Sequence, residues 1–183
     1  MTCTCQCVGP TNVRAREKSG VFRGPPMKKR KQSGFSLIEL LIVVAIILII
    51  AAIAIPNLLA SRMAANESAA AQDLRTIMTG EVTYTTTYNI GFSPNLADLG
   101  GSGAATSTNA ELIDQTLAAG TKSGYSFVYA PTNIDAAGHY NGFTLNANPQ
   151  LPGSSGRRYF YIDQTGVIRT NYTAPAGVSD PAI

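Results

Sequence analysis

Tryptophan is absent, histidine occurs once, at His139, and the only cysteines are Cys3, Cys5 and Cys7. Everything after Cys7 must hold its fold without a disulfide. The three cysteines alternate with other residues, lack C-x-x-C spacing and have no nearby histidine, so they form no zinc-type ligand set. Charge is scarce as well, at 14% of residues, against 45% apolar. That balance excludes a disordered chain, and 183 residues suit one domain or one domain plus an extension. No glycine-rich phosphate-binding motif occurs.

The few charges are unevenly placed. Residues 1–34 carry eight Lys/Arg (Arg14, Arg16, Lys18, Arg23, Lys28, Lys29, Arg30, Lys31) against Glu17, a net +7. Residues 35–183 carry six Lys/Arg and ten Asp/Glu, a net −4, and the two sum to +3. A basic head on an acidic body argues against nucleic-acid binding built on the overall charge and points to membrane topogenesis.

Leu40 to Ile55 is an unbroken run of sixteen apolar residues. Counted from Phe35 the segment has 21 residues, interrupted only by Ser36 and Glu39. As a helix it would be roughly 31 Å long, the hydrocarbon thickness of a bilayer. Lys28-Lys29-Arg30-Lys31 lies just before it and no further Lys or Arg follows until Arg62, which puts the N-terminus in the cytoplasm and the body across the membrane. The segment is too long and too late for a secretory signal core, and no small-x-small cleavage site follows it. Glu39 is out of place in a plain anchor: an acid within a bilayer is costly, and such a residue is usually functional and needs a partner. Gly34 offers a flexible, accessible peptide bond before Phe35, and Pro56 ends the run without a loop.

Lys-Lys-Arg-Lys-Gln-Ser-Gly34, then Phe35-Ser-Leu-Ile-Glu39-Leu-Leu-Ile-Val-Val-Ala-Ile and Ala-Ile-Pro56-Asn-Leu, closely resembles the N-terminus of type IV pilins. The motif covers about 30 residues and is highly specific. The resemblance implies cleavage after Gly34 by a prepilin peptidase and methylation of the new Phe35 amine by the same peptidase/methyltransferase. It also implies extraction by inner-membrane assembly machinery into a helical homopolymer. Glu39 matches the family's assembly glutamate, which would neutralise the Phe35 ammonium of a neighbouring subunit. Many members carry glycine where this chain has Leu48, and the stretch from there to the proline often loses helical structure in filaments. Leucine raises helix propensity by nearly 1 kcal/mol over glycine, so melting near Pro56 is less expected here. Met27 is the expected true start, giving an eight-residue leader of ordinary family length.

The expected organisation is a leader over 1–34, a transmembrane and filament-core helix over 35–56, an amphipathic continuation over 57–91, and a globular head over 92–183. Apolar Leu59, Met63, Ala70, Leu74, Ile77, Met78 and Val82 mark the inward stripe, with Asn66, Glu67, Gln72, Asp73 and Arg75 on the rest. The helix is expected to run to Tyr88 and stop at Asn89-Ile90-Gly91. A short helical piece should start at Ser93-Pro94, with Leu96 and Leu99 inward. A second should be opened by the capping-box spacing of Thr108 and Glu111 and carry Leu112, Ile113 and Leu117. From Gly124 the period becomes two, with strands around Tyr125–Tyr129, Phe143–Leu145, Tyr159–Ile162 and Val167–Tyr172, a turn over Pro131–Asn141, and an irregular tail from Thr173. The fold class is α+β: one long helix packed on a three- to four-stranded antiparallel sheet.

No catalytic constellation accompanies these elements. His139 lacks a nucleophile and an orienting acid nearby in sequence. Glu111 and Asp114 are one helical turn apart and read as solvated; Asp163 reads as a turn cap rather than a calcium ligand. Tyr84, Tyr88, Phe92, Tyr159, Phe160 and Tyr161 read as core aromatics. The expected function is therefore that of a non-enzymatic pilus subunit without cofactor, serving adhesion, twitching motility or DNA uptake, with nucleic acid engaged only through the whole filament. Its alternatives are a major pseudopilin of type II secretion and a minor tip pilin that captures DNA or a surface ligand.

Overall fold

The computed structural model describes residues 34–183. The basic run Lys28–Lys31, the three cysteines and Met27 lie outside the described residues. One helix, α1 (Leu37–Tyr88), accounts for 52 residues and passes Leu48 and Pro56 without a break. It ends where Asn89 turns left-handed (φ 55°) and donates its N–H to Thr85 O at 3.0 Å, as the Asn-Ile-Gly stop implies.

Only the C-terminal part of α1 is covered. Glu67, Ala70, Leu74, Ile77, Glu81 and Tyr84 are buried at three- and four-residue spacing. Leu59 and Val82 are exposed, contrary to the expected stripe. Leu59 lies before the first buried position of the helix, and Val82 points away from the face carrying Glu81 and Tyr84. The head enters through a 3-10 turn, Leu96–Leu99, which buries both leucines as expected.

The next helical piece differs. Helix α2 is only Gln115–Ala118, with Asp114 as its N-cap accepting from Leu117 N–H at 3.0 Å. Glu111 is not in a helix but left-handed (φ 52°). The segment before α2 is instead stitched to the 3-10 turn, with Ala110 N–H donating to Asp98 O and Leu112 N–H to Leu99 O. Tertiary hydrogen bonds here override a local capping pattern.

The sheet is an antiparallel meander of five strands in chain order: β1 (Thr121–Lys122), β2 (Tyr125–Ile134), β3 (Tyr140–Pro149), β4 (Tyr159–Asp163) and β5 (Arg169–Asn171). The strand beyond the expected four is β1, whose two residues are too short to show a period. The turn is tighter than expected, because β2 continues through Pro131 to Ile134. β1 pairs only with Tyr125 and Ser126, so Pro131 lies where that edge of β2 is unpaired and its missing N–H breaks no ladder. Register places Tyr129, Leu145 and Ile162 across from one another, with Phe127, Ala147 and Phe160 in the neighbouring row. These rows face α1. On the opposite face Asn146 Nδ2 donates to Ala176 O at 2.7 Å, so the C-terminal tail folds back over the sheet. Asp180 pins that tail through Asn171 Nδ2 and Gly177 N–H.

Candidate functional site

The surface that stands apart is the first half of α1. From Gly34 to Arg62 every residue but Ala51 is exposed, and none of the membrane-length window is buried. Phe35 is 76% exposed, and the bulky side chains from Leu40 to Ile55 ring the helix without a polar face. Such a surface needs lipid or other apolar side chains around it.

Glu39 sits at the third position of α1, in its first turn. Its Oε2 accepts the Ser36 N–H at 3.0 Å, satisfying one of the orphan donors at the helix start. The carboxylate thus turns back toward Phe35, the residue before Ser36, and lies where the helix dipole favours a negative charge. The Ser36-x-x-Glu39 spacing of a capping box was the sequence signal for this contact. Gly34 and Phe35 precede the helix as extended chain, and Pro56 is embedded within it.

Three carboxylates expected to be solvated or left unassigned instead fasten the head to the helix. Glu67 and Asp73 were placed on the polar side of α1, yet both are buried, as is Glu81. Glu67 accepts the Arg157 N–H at 2.7 Å and the Arg158 Nε–H at 2.7 Å. Burial alone would raise its pKa, but these hydrogen bonds and the Arg158 charge outweigh that and hold it below the ordinary carboxylate value. Glu81 accepts both the N–H (2.9 Å) and the Oγ–H (2.6 Å) of Ser93, and burial pushes its pKa up despite them. Lys122 bridges Asp73 and Asp114, each at 2.8 Å; its hydrogen bond holds Asp114 far below the usual range. The legible signal was spacing. Glu67, Leu74 and Glu81 fall seven residues apart on the same stripe as Ala70, Ile77 and Tyr84.

The remaining candidates are dispersed. His139 lies in the β2–β3 turn, its Nδ1 3.5 Å from Asp135 Oδ2, and both side chains are exposed to solvent. Glu111 accepts from Gly103 N–H, away from Asp114 at the start of α2. Asp163 accepts from Thr165 N–H at 2.9 Å and caps its turn. Among the described residues no three His, Cys, Asp or Glu side chains gather. Phe92, Tyr129 and Phe143 form one aromatic cluster and Tyr125 with Phe160 another, both within the head.

A bare, membrane-length helix carrying an acid at its start and continuing into a small antiparallel head defines a helix-and-head class of protein. The family described as the prokaryotic N-terminal methylation motif matches residues 29–55. The chain is similar to the type IV wide pilus major component PilA4 of Thermus thermophilus, 64% identical over 39 residues, 21% of this chain and 30% of that protein. It is also similar to the type II secretion system core protein G of Aeromonas hydrophila, 40% identical over 48 residues, 26% of this chain and 34% of that protein. The chain spans about a third of the length of these curated relatives. No solved structure matches. In its N-terminal motif and in the stretches these relatives cover, the chain is similar to type IV pilins and type II secretion pseudopilins.

Proposed function

We propose that this chain is a structural, non-enzymatic subunit of a type IV pilus. Its precursor spans the inner membrane through residues 35–56, with the Lys28–Lys31 run in the cytoplasm. A prepilin peptidase cuts after Gly34 and methylates Phe35, and the assembly machinery draws the product into a helical homopolymer on the cell surface. There Glu39 pairs with the Phe35 ammonium of an adjacent copy. Each copy carries both partners, so the contact repeats head to tail without closing. The observation that carries this reading is the helix from Leu40 to Ile55, wholly bare in the single chain and continuous with the folded head. Lipid can cover it in the precursor and sister helices in a filament.

The similarity to a type II secretion core protein supports a second reading, a subunit of a short periplasmic pseudopilus. Purified surface appendages containing this chain favour the pilus, whereas loss of protein secretion on deletion favours the pseudopilus. For either, mass spectrometry of the mature form should find an N-terminus at Phe35 with the mass of one added methyl group. An exported chain still carrying Lys28–Gly34 would refute processing.

A further inference from the structure

Directly beyond the apolar helix, the underside of the head gathers positive charge. Of the six cations after Phe35, three lie here: Arg62 on α1, and Arg157 and Arg158 at the end of the β3–β4 loop. Their only acidic neighbour among the described residues is Glu67, which is taken up by Arg158. The rest of the body carries three cations, Arg75, Lys122 and Arg169, against eight acids. Arg62 and Arg157 form no ion pair among the described residues, and both are exposed.

The β3–β4 loop is held at a defined height along α1. Asn66 Nδ2 donates to Ser155 O at 2.8 Å, and Glu67 holds the backbone of Arg157. Two clefts flank the contact. One, of about 210 Å³, is lined by Leu59, Arg62, Asn66, Ser154 and Ser155; the other, of about 200 Å³, includes Ala60, Met63 and Arg157. The loop therefore reaches the level of Leu59 and Ala60, roughly 5 Å along the helix from Pro56, with Arg62 at about 9 Å. The headgroup layer of a bilayer is about 5–8 Å thick on each side. Helical side chains lean toward the N-terminus, so Arg62 leans toward that layer. The loop tip is internally hydrogen-bonded, with Ser154 and Ser155 N–H on Leu151 O, and it presents Leu151 65% exposed.

We propose that this underside, formed by Arg62, Arg157 and the Leu151 tip, is a docking surface for the anionic phospholipid headgroups of the leaflet that the helix exits. The inference rests on reading residues 35–56 as a membrane span. The arginines take the lipid phosphates, Leu151 enters the interface, and the fixed loop sets the head upright on the membrane before extraction.

The test uses the full chain reconstituted in two vesicle types, phosphatidylcholine alone and phosphatidylcholine with phosphatidylglycerol. Flotation reports the span, and hydrogen exchange at residues 151–157 reports the docking. The chain should float with both, and exchange at 151–157 should slow on the anionic vesicles by up to about 25-fold, roughly fivefold per arginine. Arg62→Gln with Arg157→Gln should abolish that difference while the amides of β2 and β3 keep their protection. Flotation with equal exchange in both vesicles would sink the docking surface and leave the span intact. Failure to float would sink the span. Protection that rises with protein density in both vesicles would assign the patch to a second copy instead of lipid.

Discussion

At the residue scale, Glu39 is engaged even in a single chain. Its carboxylate accepts the Ser36 N–H, so pairing with a neighbouring ammonium would add to a helix cap rather than fill an empty position. Two substitutions separate these roles. Glu39→Gln retains an acceptor for Ser36 but loses the charge; Glu39→Ala loses both and should loosen the helix start by about 1 kcal/mol. Membrane insertion should survive in both variants and fibre yield should fall in both. Normal fibre recovery from Glu39→Gln, measured by shearing and sedimentation, would show that the charge is dispensable.

Glu67 and Glu81 sit on the same helix face and titrate in opposite directions. Glu67 is held below 4.5, so its contribution to stability is present above 4.5 and lost as pH falls through its depressed value. Glu81 is raised above 4.5, so its contribution is present below 4.5 and lost as pH rises through its elevated value. Thermal unfolding of Glu81→Gln in detergent should therefore lack a loss of stability that the parent shows as pH rises above 4.5. Glu67→Gln should cost about 1–3 kcal/mol near neutrality because it weakens acceptance from Arg157 and Arg158. Parallel pH profiles for parent and Glu81→Gln would rule out the Glu81 assignment.

At the element scale, the join between helix and sheet depends on close backbone approach. A Cβ on Gly156 would lie 2.1 Å from Tyr125 Oη, whose hydroxyl donates to Arg158 O at 2.8 Å. Gly156→Ala must displace that buried ring or the loop, which should cost about 1–3 kcal/mol. The same change at exposed Gly153, where a Cβ meets nothing but φ is +82°, should cost only the backbone strain. Denaturant midpoints of the two variants would compare crowding with strain, and equal losses would refute the crowding at Gly156.

At the scale of the whole molecule, the chain has two stabilising environments that share one helix. The head buries Leu74, Ile77, Tyr84, Tyr125, Phe143, Phe160 and Ile162, whereas residues 37–62 contribute nothing to that core. Stability should therefore be uneven along α1. On heating in detergent micelles, aromatic circular dichroism from the head should be lost while much of the helical signal persists, because the micelle supports the apolar half independently. A single coincident transition by both probes would show that the halves are coupled.

Residues 35–55 and the helix stop at Asn89 were legible in the sequence because each depends on local chemistry: length of apolar run, a flanking charge, and a residue that tolerates positive φ. The alternating aromatics likewise announced the sheet. What local pattern could not supply was the destination of long-range partners. Thr108 and Glu111 look like a helix start, yet Leu99, in the preceding 3-10 turn, claims the backbone N–H groups of Leu112 and Ile113. Glu67 and Asp73 look like solvent-facing charges until Arg158 and Lys122, 91 and 49 residues later, arrive beside them. The sequence by itself determined where the chain becomes apolar, where it turns and which end is basic. Only the tertiary structure decided which carboxylates are buried, because a charge inside a protein is tolerable only where distant donors converge on it.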